Sequence, residues 1–320
     1  MMLHPDMPSL QDREETEVPA GLPAVIDTHV HIFPDAIFAA VRAWFDQHGW
    51  RIRYRLGSAE IIEFLLARGV GHIVALQYAH KPGIAPQLND YMTEICRRYA
   101  GRVTGLATVF PGEQGAERLL QQAFDAGLGG LKLHAHVQCF DMNGAAMDPL
   151  YDCCRRNGRP VVMHIGREPK SAAYHCDPYE LCSAGKLERV LRDFPGLKVC
   201  VPHLGLDEIA AYRELIEKYD NLWLDTTMAL AGYFPLEEDI DIGGYRSDRV
   251  MYGSDFPNIP YAWDRELLRL PAAHLPPGFV NALLHDNAID FFRLAGVSEA
   301  GGAGDHVNST VGGPWPNRMP

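Results

Sequence analysis

A single (β/α)8 TIM barrel is the fold that this 320-residue chain predicts. Eight short apolar runs recur about every thirty residues, a spacing that suits one strand–helix unit each. The segments between them carry helical periodicity. The turn after the first run also lacks a GxGxxG pattern, which argues against an open, doubly wound dinucleotide-binding sheet.

The predicted strands occupy residues 24–26, 72–76, 103–109, 130–134, 160–164, 198–203, 222–225 and 250–253. They read as apolar runs, the pattern of parallel strands covered on both faces. Among the intervening helices, 59–68 (AEIIEFLLAR) opens after Ser58, a predicted N-cap followed by acidic residues in the first turns. The helix 117–126 runs into Gly127, a predicted C′ glycine, and 186–194 stops before Pro195-Gly196. No internal repeat and no mid-chain linker interrupts the series. The predicted organisation is an N-terminal extension over 1–22, one barrel domain over 23–298, and a tail over 299–320. The tail is rich in Gly, Pro, Ser and Asn, with little core of its own.

Composition narrows the function classes. The chain is 47% hydrophobic and 22% charged, ordinary for a globular enzyme, and its formal net charge is -12. That charge argues against a nucleic-acid surface, which draws on clustered Lys and Arg. It leaves anionic small substrates open, because a site's local field can differ in sign from the net charge. Seven cysteines without a CxxC pair predict reduced thiols rather than a zinc knuckle or redox motif. The first twenty residues have no apolar core of a signal peptide, and no stretch reaches the roughly twenty apolar residues of a membrane span. A cytoplasmic protein with no membrane partner is the expectation.

The chemistry begins at Ile26-Asp27-Thr28-His29-Val30-His31. Residues two apart in a strand face one side, so His29 and His31 can both point into a barrel mouth. Two imidazoles so placed can chelate one divalent ion. Alone the pair also suits two ordinary histidines at a strand end. Other strand ends finish in ligand-type residues as well: His164 in PVVMHIG, His203 in VPHLG and Asp255 in MYGSDFP. Barrel active sites occupy the C-terminal face, where such residues converge.

At this point the chain resembles the amidohydrolase superfamily. It is similar to the amidohydrolase-related (amidohydrolase 2) branch, which includes aminocarboxymuconate-semialdehyde decarboxylase and related lactonases. The stretches IDTHVHIFP, GGLKLHAHVQ, PVVMHIG, VPHLG, NLWLDTT, MYGSDFP and LHDNAIDFF carry the likeness over roughly residues 24 to 295. The resemblance implies that His29, His31, His164 and Asp255 surround one divalent metal, usually Zn2+, with Mn2+ or Co2+ also suited to such ligands. It implies that Asp255 acts as base toward water and that His203 polarises substrate or moves protons. It also implies a homo-oligomer.

Lys132, in Leu131-Lys132-Leu133-His134, lies where some relatives in the wider superfamily carry a carboxylated lysine that bridges two metals. Here it is read as a barrel-facing charge near the substrate, with a structural salt bridge as the plain alternative. His134 and His136 are expected to line the pocket. Arg167 and Lys170, in HIGREPK, are candidate carboxylate binders, Arg being suited to a bidentate clamp, with exposed loop charges as the alternative. His175 lies on the same loop. Trp44, Trp50 and Tyr54 are candidates to cap the pocket, Asp225 and Thr226 to support it, and Asn287 to pack or cap.

Three functions follow from this reading. The first is hydrolysis of a small, carboxylated ester, lactone or amide by metal-activated water. The second is non-oxidative decarboxylation of an aromatic or muconate-like acid with the same metal. The third is a catalytically dead binding barrel, which would be expected to have lost at least one ligand.

Overall fold

The computed structural model describes residues 12–167, 171–234 and 240–295. The predicted tail over 299–320 and Lys170 lie outside the described residues.

All eight predicted strands form, in chain order and all parallel. They are β1 (Val25–His31), β2 (Val70–Leu76), β3 (Val103–Gly105), β4 (Leu131–His134), β5 (Val161–His164), β6 (Val199–Val201), β7 (Leu222–Asp225) and β8 (Val250–Met251). β1 to β3 and β4 to β8 pair continuously. Two seams close the ring. At one, a bridge pairs Ala107 with Leu131, and Lys132 N donates to the Ala107 carbonyl. At the other, Val30 bridges Phe256, Thr28 N donates to Tyr252, and His31 N donates to Phe256. Every sheet edge is thereby paired, as a barrel requires.

The core has two layers. Inside the ring lie Ile26, Val74, Leu106, Val162, Trp223 and Met251, plugged from below by Phe291 and Phe292 of the helix Asn287–Phe292. The larger apolar cluster lies between strands and outer helices. Asn287 donates to the carbonyls of Ser247 and Val250, tying that helix to β8, which is the packing alternative of its expected roles rather than a helix cap.

Local chemistry accounts for most boundaries and for the departures. The helix Ala116–Asp125 ends as expected: Gly127 takes φ 98°, and the amides of Gly127 and Leu128 donate back to Phe124 and Ala123. The helix Ala184–Asp193 begins two residues before its predicted start, because the Ser183 hydroxyl accepts from Lys186 N. Ser58 is not the N-cap of its helix, Ser58–Ala67. Its hydroxyl donates to the Phe33 carbonyl, and the cap is Gly57, whose amide donates to Glu60. β3 and β6 are shorter than predicted. After Val201 the chain turns into a 3-10 segment, His203–Gly205, in which His203 itself has φ 61°.

Residues 12–22 of the predicted extension pack on the barrel: Glu15 N donates to Asp264, Val18 N to the Arg68 carbonyl, and Arg265 pairs with Asp12. Among the described residues no helix is long and apolar enough to cross a membrane.

Candidate metal centre

The strand register decides which side chains meet. Lys132 aligns with Val162, Val162 with Cys200, and Cys200 with Trp223, so all four face the barrel interior. Two residues further on, His134 aligns with His164 at the C-terminal rim. Neighbouring strands lie about 4.8 Å apart, and the two rings accordingly stack, centroids 4.0 Å apart with 14° between planes.

His29 and His31 both enter this rim from β1 and are buried. His29 Nδ1 meets Asp225 Oδ2 at 2.9 Å. Because a carboxylate accepts, Nδ1 carries the proton and Nε2 keeps its lone pair. That Nε2 faces Asp255 Oδ1 at 3.6 Å and Lys132 Nζ at 3.4 Å. His31 Nε2 lies 3.0 Å from Asp255 Oδ1, and its buried Nδ1 has no partner.

Asp255 arrives from the loop after β8, with φ 65°. Its amide donates to the His29 carbonyl, and Asp27 holds the loop by accepting from Ser254 N and from Ser254 Oγ. Burial pushes Asp27 up to about 6. Burial would raise Asp255 too, but the His31 hydrogen bond and the neighbouring imidazoles outweigh it and hold the carboxyl below its usual range. Burial and then the Lys132 charge push His29 down to about 4, and burial lowers His31. Both imidazoles are therefore neutral near pH 7, the form that binds metal.

A second chain of hydrogen bonds sets the remaining tautomers. His203 Nδ1 lies 2.8 Å from the Thr227 carbonyl, which can only accept, so His203 Nε2 is the acceptor. It takes the proton of His164 Nδ1 at 3.2 Å, leaving His164 Nε2 bare, buried and unpartnered. Asp225 joins both systems, since its Oδ1 accepts from His203 N while its Oδ2 holds His29.

Ligating atoms of His29, His31 and Asp255 lie within 4.8 Å of one another, and so do those of His134, His136 and His164. Three of the four expected metal residues thus stand together, with His164 grouped among the rim imidazoles. Two histidines and a carboxylate, one imidazole oriented by a second carboxylate, form a donor set that fits a divalent ion.

Above these groups opens a cavity of about 330 Å³. His31, His134, His164, His203 and Asp255 form its polar side, while Trp44, Phe45, Trp50 and Phe234 supply aromatic wall. Trp44 and Trp50 fall where predicted, and His136 and His175 also line the space. Tyr54 does not; its hydroxyl is engaged by Glu14 and by Trp263 N. Lys132 lies outside the lining, fully buried beneath His29, where burial, opposed by Asp225 and Asp255, pushes its amine down to about 8. Arg167 also lies outside it, paired with Asp207 and Glu208 at 3.3 Å each and donating to the Cys182 carbonyl. Tyr78, Phe234 and Asn258 line the cavity without having been singled out by motif. Tyr78 carried a signal: it lies two residues past the end of β2.

An eight-stranded barrel whose C-terminal rim gathers histidines and a carboxylate belongs to the class of TIM-barrel enzymes. The amidohydrolase family model (Amidohydro_2) matches residues 26–294, and the chain belongs to that family. No curated protein matches the chain by sequence.

Solved structures share the fold. One is an uncharacterised TIM-barrel protein from Bordetella bronchiseptica: 19% identity, TM-score 0.68, covering 85% of this chain and 99% of that one. Another is 5-carboxyvanillate decarboxylase from Novosphingobium aromaticivorans, solved with manganese: 18% identity, TM-score 0.65, 88% and 100% covered. A third is a probable 2-pyrone-4,6-dicarboxylic acid hydrolase from Acinetobacter baumannii: 15% identity, TM-score 0.55, 84% and 99% covered.

Proposed function

We propose that this chain is a metal-dependent hydrolase that cleaves a small ester, lactone or amide. The observation that carries its metal-dependent part is the pairing of His29 with Asp225, which leaves His29 Nε2 as a bare donor facing Asp255, a residue of the cavity lining. In this proposal His29, His31 and Asp255 hold one divalent ion, with the bare Nε2 of His164 as fourth donor. Zn2+ suits this set, and Mn2+ or Co2+ could take its place.

When bound, such an ion supplies Lewis acidity to a carbonyl and lowers the pKa of water. The side chains supply the rest. Asp255, on the cavity floor, accepts the proton of the attacking water. His203, held at Nδ1 by Thr227, gives up the His164 hydrogen bond at Nε2 to collect that proton and returns it to the leaving group. Asp225 keeps His29 in the Nδ1–H tautomer throughout.

The alternative of a decarboxylase has one observation in its favour. Among the described residues no Lys or Arg lines the cavity, so a substrate carboxylate would have the ion as its cationic partner. Turnover in 18O-labelled water separates the two. A hydrolase incorporates one labelled oxygen into its acid product; release of CO2 without label uptake would replace the proposal with the lyase.

A further inference from the structure

Free cysteine is usually a buried, inert residue. Cys153, Cys154, Cys182 and Cys200 are buried, and Cys96 Sγ accepts a hydrogen bond from Gly105 N. Cys139 and Cys176 differ. Cys139 is exposed and Cys176 half-buried, and their sulfurs converge on one atom. The His136 carbonyl accepts from Cys139 Sγ at 3.7 Å and from Cys176 Sγ at 3.2 Å. The two thiols also hydrogen-bond to each other. Sulfurs that share an acceptor and meet directly close to the about 2.05 Å of a disulfide by turning about χ1. Cys139 also takes φ 52° at the end of the short helix Ala135–Gln138, a conformation that non-glycine residues seldom adopt and that clusters at functional sites.

The pair is joined to the cavity. Cys176 belongs to the irregular segment 171–177, between β5 and the helix Pro178–Leu181. Ala173, Tyr174 and His175 of that segment line the cavity. The Tyr174 ring packs on Trp44, centroids 5.0 Å apart, and on His136 at 4.4 Å. His136 thus meets the segment twice, with its ring at Tyr174 and with its carbonyl at Cys176. A bond from Cys176 to Cys139 would fasten this wall at the same place.

We propose that Cys139 and Cys176 form a redox-modification site, at which a low-molecular-weight disulfide of the glutathione type converts them to a reversible intramolecular disulfide. The bond fastens the cavity wall of residues 173–175 to the rim beyond β4. Cys139, the exposed thiol, loses its proton and attacks first. One sulfur of the small disulfide bonds to Cys139, and the other leaves and is protonated to the free thiol. Cys176 then gives up its proton, attacks the Cys139 sulfur and expels the second small thiol. Two protein thiols are oxidised to one disulfide, and one small disulfide is reduced to two thiols. Burial explains the order. It pushes the Cys176 thiol up to about 12, helped by the hydrogen bond and charge of Cys139, and capping Cys139 removes those last two contributions.

The test needs neither substrate nor metal. The full chain is incubated with glutathione disulfide, trapped in acid and mapped by mass spectrometry without reduction. Wild type should lose two hydrogens per chain and yield one peptide pair joined through Cys139 and Cys176, both reversed by dithiothreitol. Cys176→Ser should stop at the mixed disulfide on Cys139. In Cys139→Ser the remaining Cys176 should react at least about tenfold more slowly than Cys139 does in Cys176→Ser. Amide hydrogen exchange in peptides within 171–182 should slow at least about fivefold in the oxidised wild type and stay unchanged in treated Cys139→Ser.

The proposal is overturned if wild type stays unmodified, or if it gains two glutathionyl groups without a cross-link. It also fails if the cross-link joins other cysteines, or if exchange within 171–182 is unchanged once Cys139 and Cys176 are bonded. If either serine variant fails to fold, the wild-type map and exchange rates still decide.

Discussion

His29 Nδ1 donates to Asp225 Oδ2 across 2.9 Å, with both side chains sealed from solvent, and Asp225 Oδ1 accepts the main-chain amide of His203. One carboxylate therefore orients the His29 imidazole, a ligand in the proposed mechanism, and fixes the backbone of His203. Asp225→Asn would keep the shape but weaken both hydrogen bonds and allow the wrong His29 tautomer. Metal affinity should fall about 10- to 100-fold. Competition with a chromophoric chelator measures it, and unchanged affinity would show that Asp225 does not orient a ligand.

Asp255 and His203 are separable by what each variant keeps. Asp255→Asn should abolish turnover, because the amide cannot accept the water's proton. Near wild-type activity in that variant would mean the base is elsewhere. His203→Ala should retain metal while lowering kcat about 10²- to 10⁴-fold. Loss of metal together with rate would make His203 a ligand. Metal content and steady-state rates on the same preparation read both.

A third prediction concerns stability away from the site. His72 on β2 is buried between the Gly101 carbonyl and Thr104 Oγ1, and burial pushes its imidazole down to about 4 from an ordinary 6.5. Its folded pKa is depressed, so below pH 6.5 the unfolded chain binds a proton that the folded chain refuses. The folded state accordingly loses stability as pH falls from 6.5 toward 4 and is unaffected above that window. Between pH 7 and pH 5 the loss attributable to His72 is about 2 kcal/mol. Urea unfolding of wild type and His72→Gln at both pH values tests it. Equal losses in the two proteins would remove His72 as a cause.

Much of the barrel and of the convergence of His29, His31 and Asp255 was legible because both follow short periodicities. His29 and His31 share a face by the two-residue repeat of β1, and Asp255 lies four residues past the end of β8, where the chain must leave the barrel rim. What stayed hidden depends on partners distant in sequence. Arg167 reads as a free loop cation until Asp207 and Glu208 arrive from the loop after β6. Lys132 reads as facing substrate, but only the position of His29 above it shows that it is covered. Ser58 has the local pattern of an N-cap, yet the Phe33 carbonyl, 25 residues earlier, takes its hydroxyl. A strand's face is set by its own residues, whereas a side chain's partner is set by the whole fold.

The seam between β8 and β1 yields the last prediction, because the metal corner depends on a close approach there. A Cβ added to Gly253 would lie 2.6 Å from Thr227 Oγ1 and 2.7 Å from His29 Cβ, both inside van der Waals contact. Of the two neighbours His29 cannot retreat: its ring is anchored to Asp225, and Gly253 is held between Tyr252 and Ser254, both hydrogen-bonded to β1 residues. Gly253→Ala should therefore displace His29 without altering any ligand, lowering metal affinity at least tenfold and stability by about 1–3 kcal/mol. Gly185 is the control. It lies in the helix Ala184–Asp193 with nothing within 4 Å of an added Cβ, so Gly185→Ala should be neutral or stabilise by up to about 1 kcal/mol. Metal titration and thermal unfolding of the two variants together test the idea. If Gly253→Ala matched Gly185→Ala in both measurements, the β8–β1 contact would not be what positions His29.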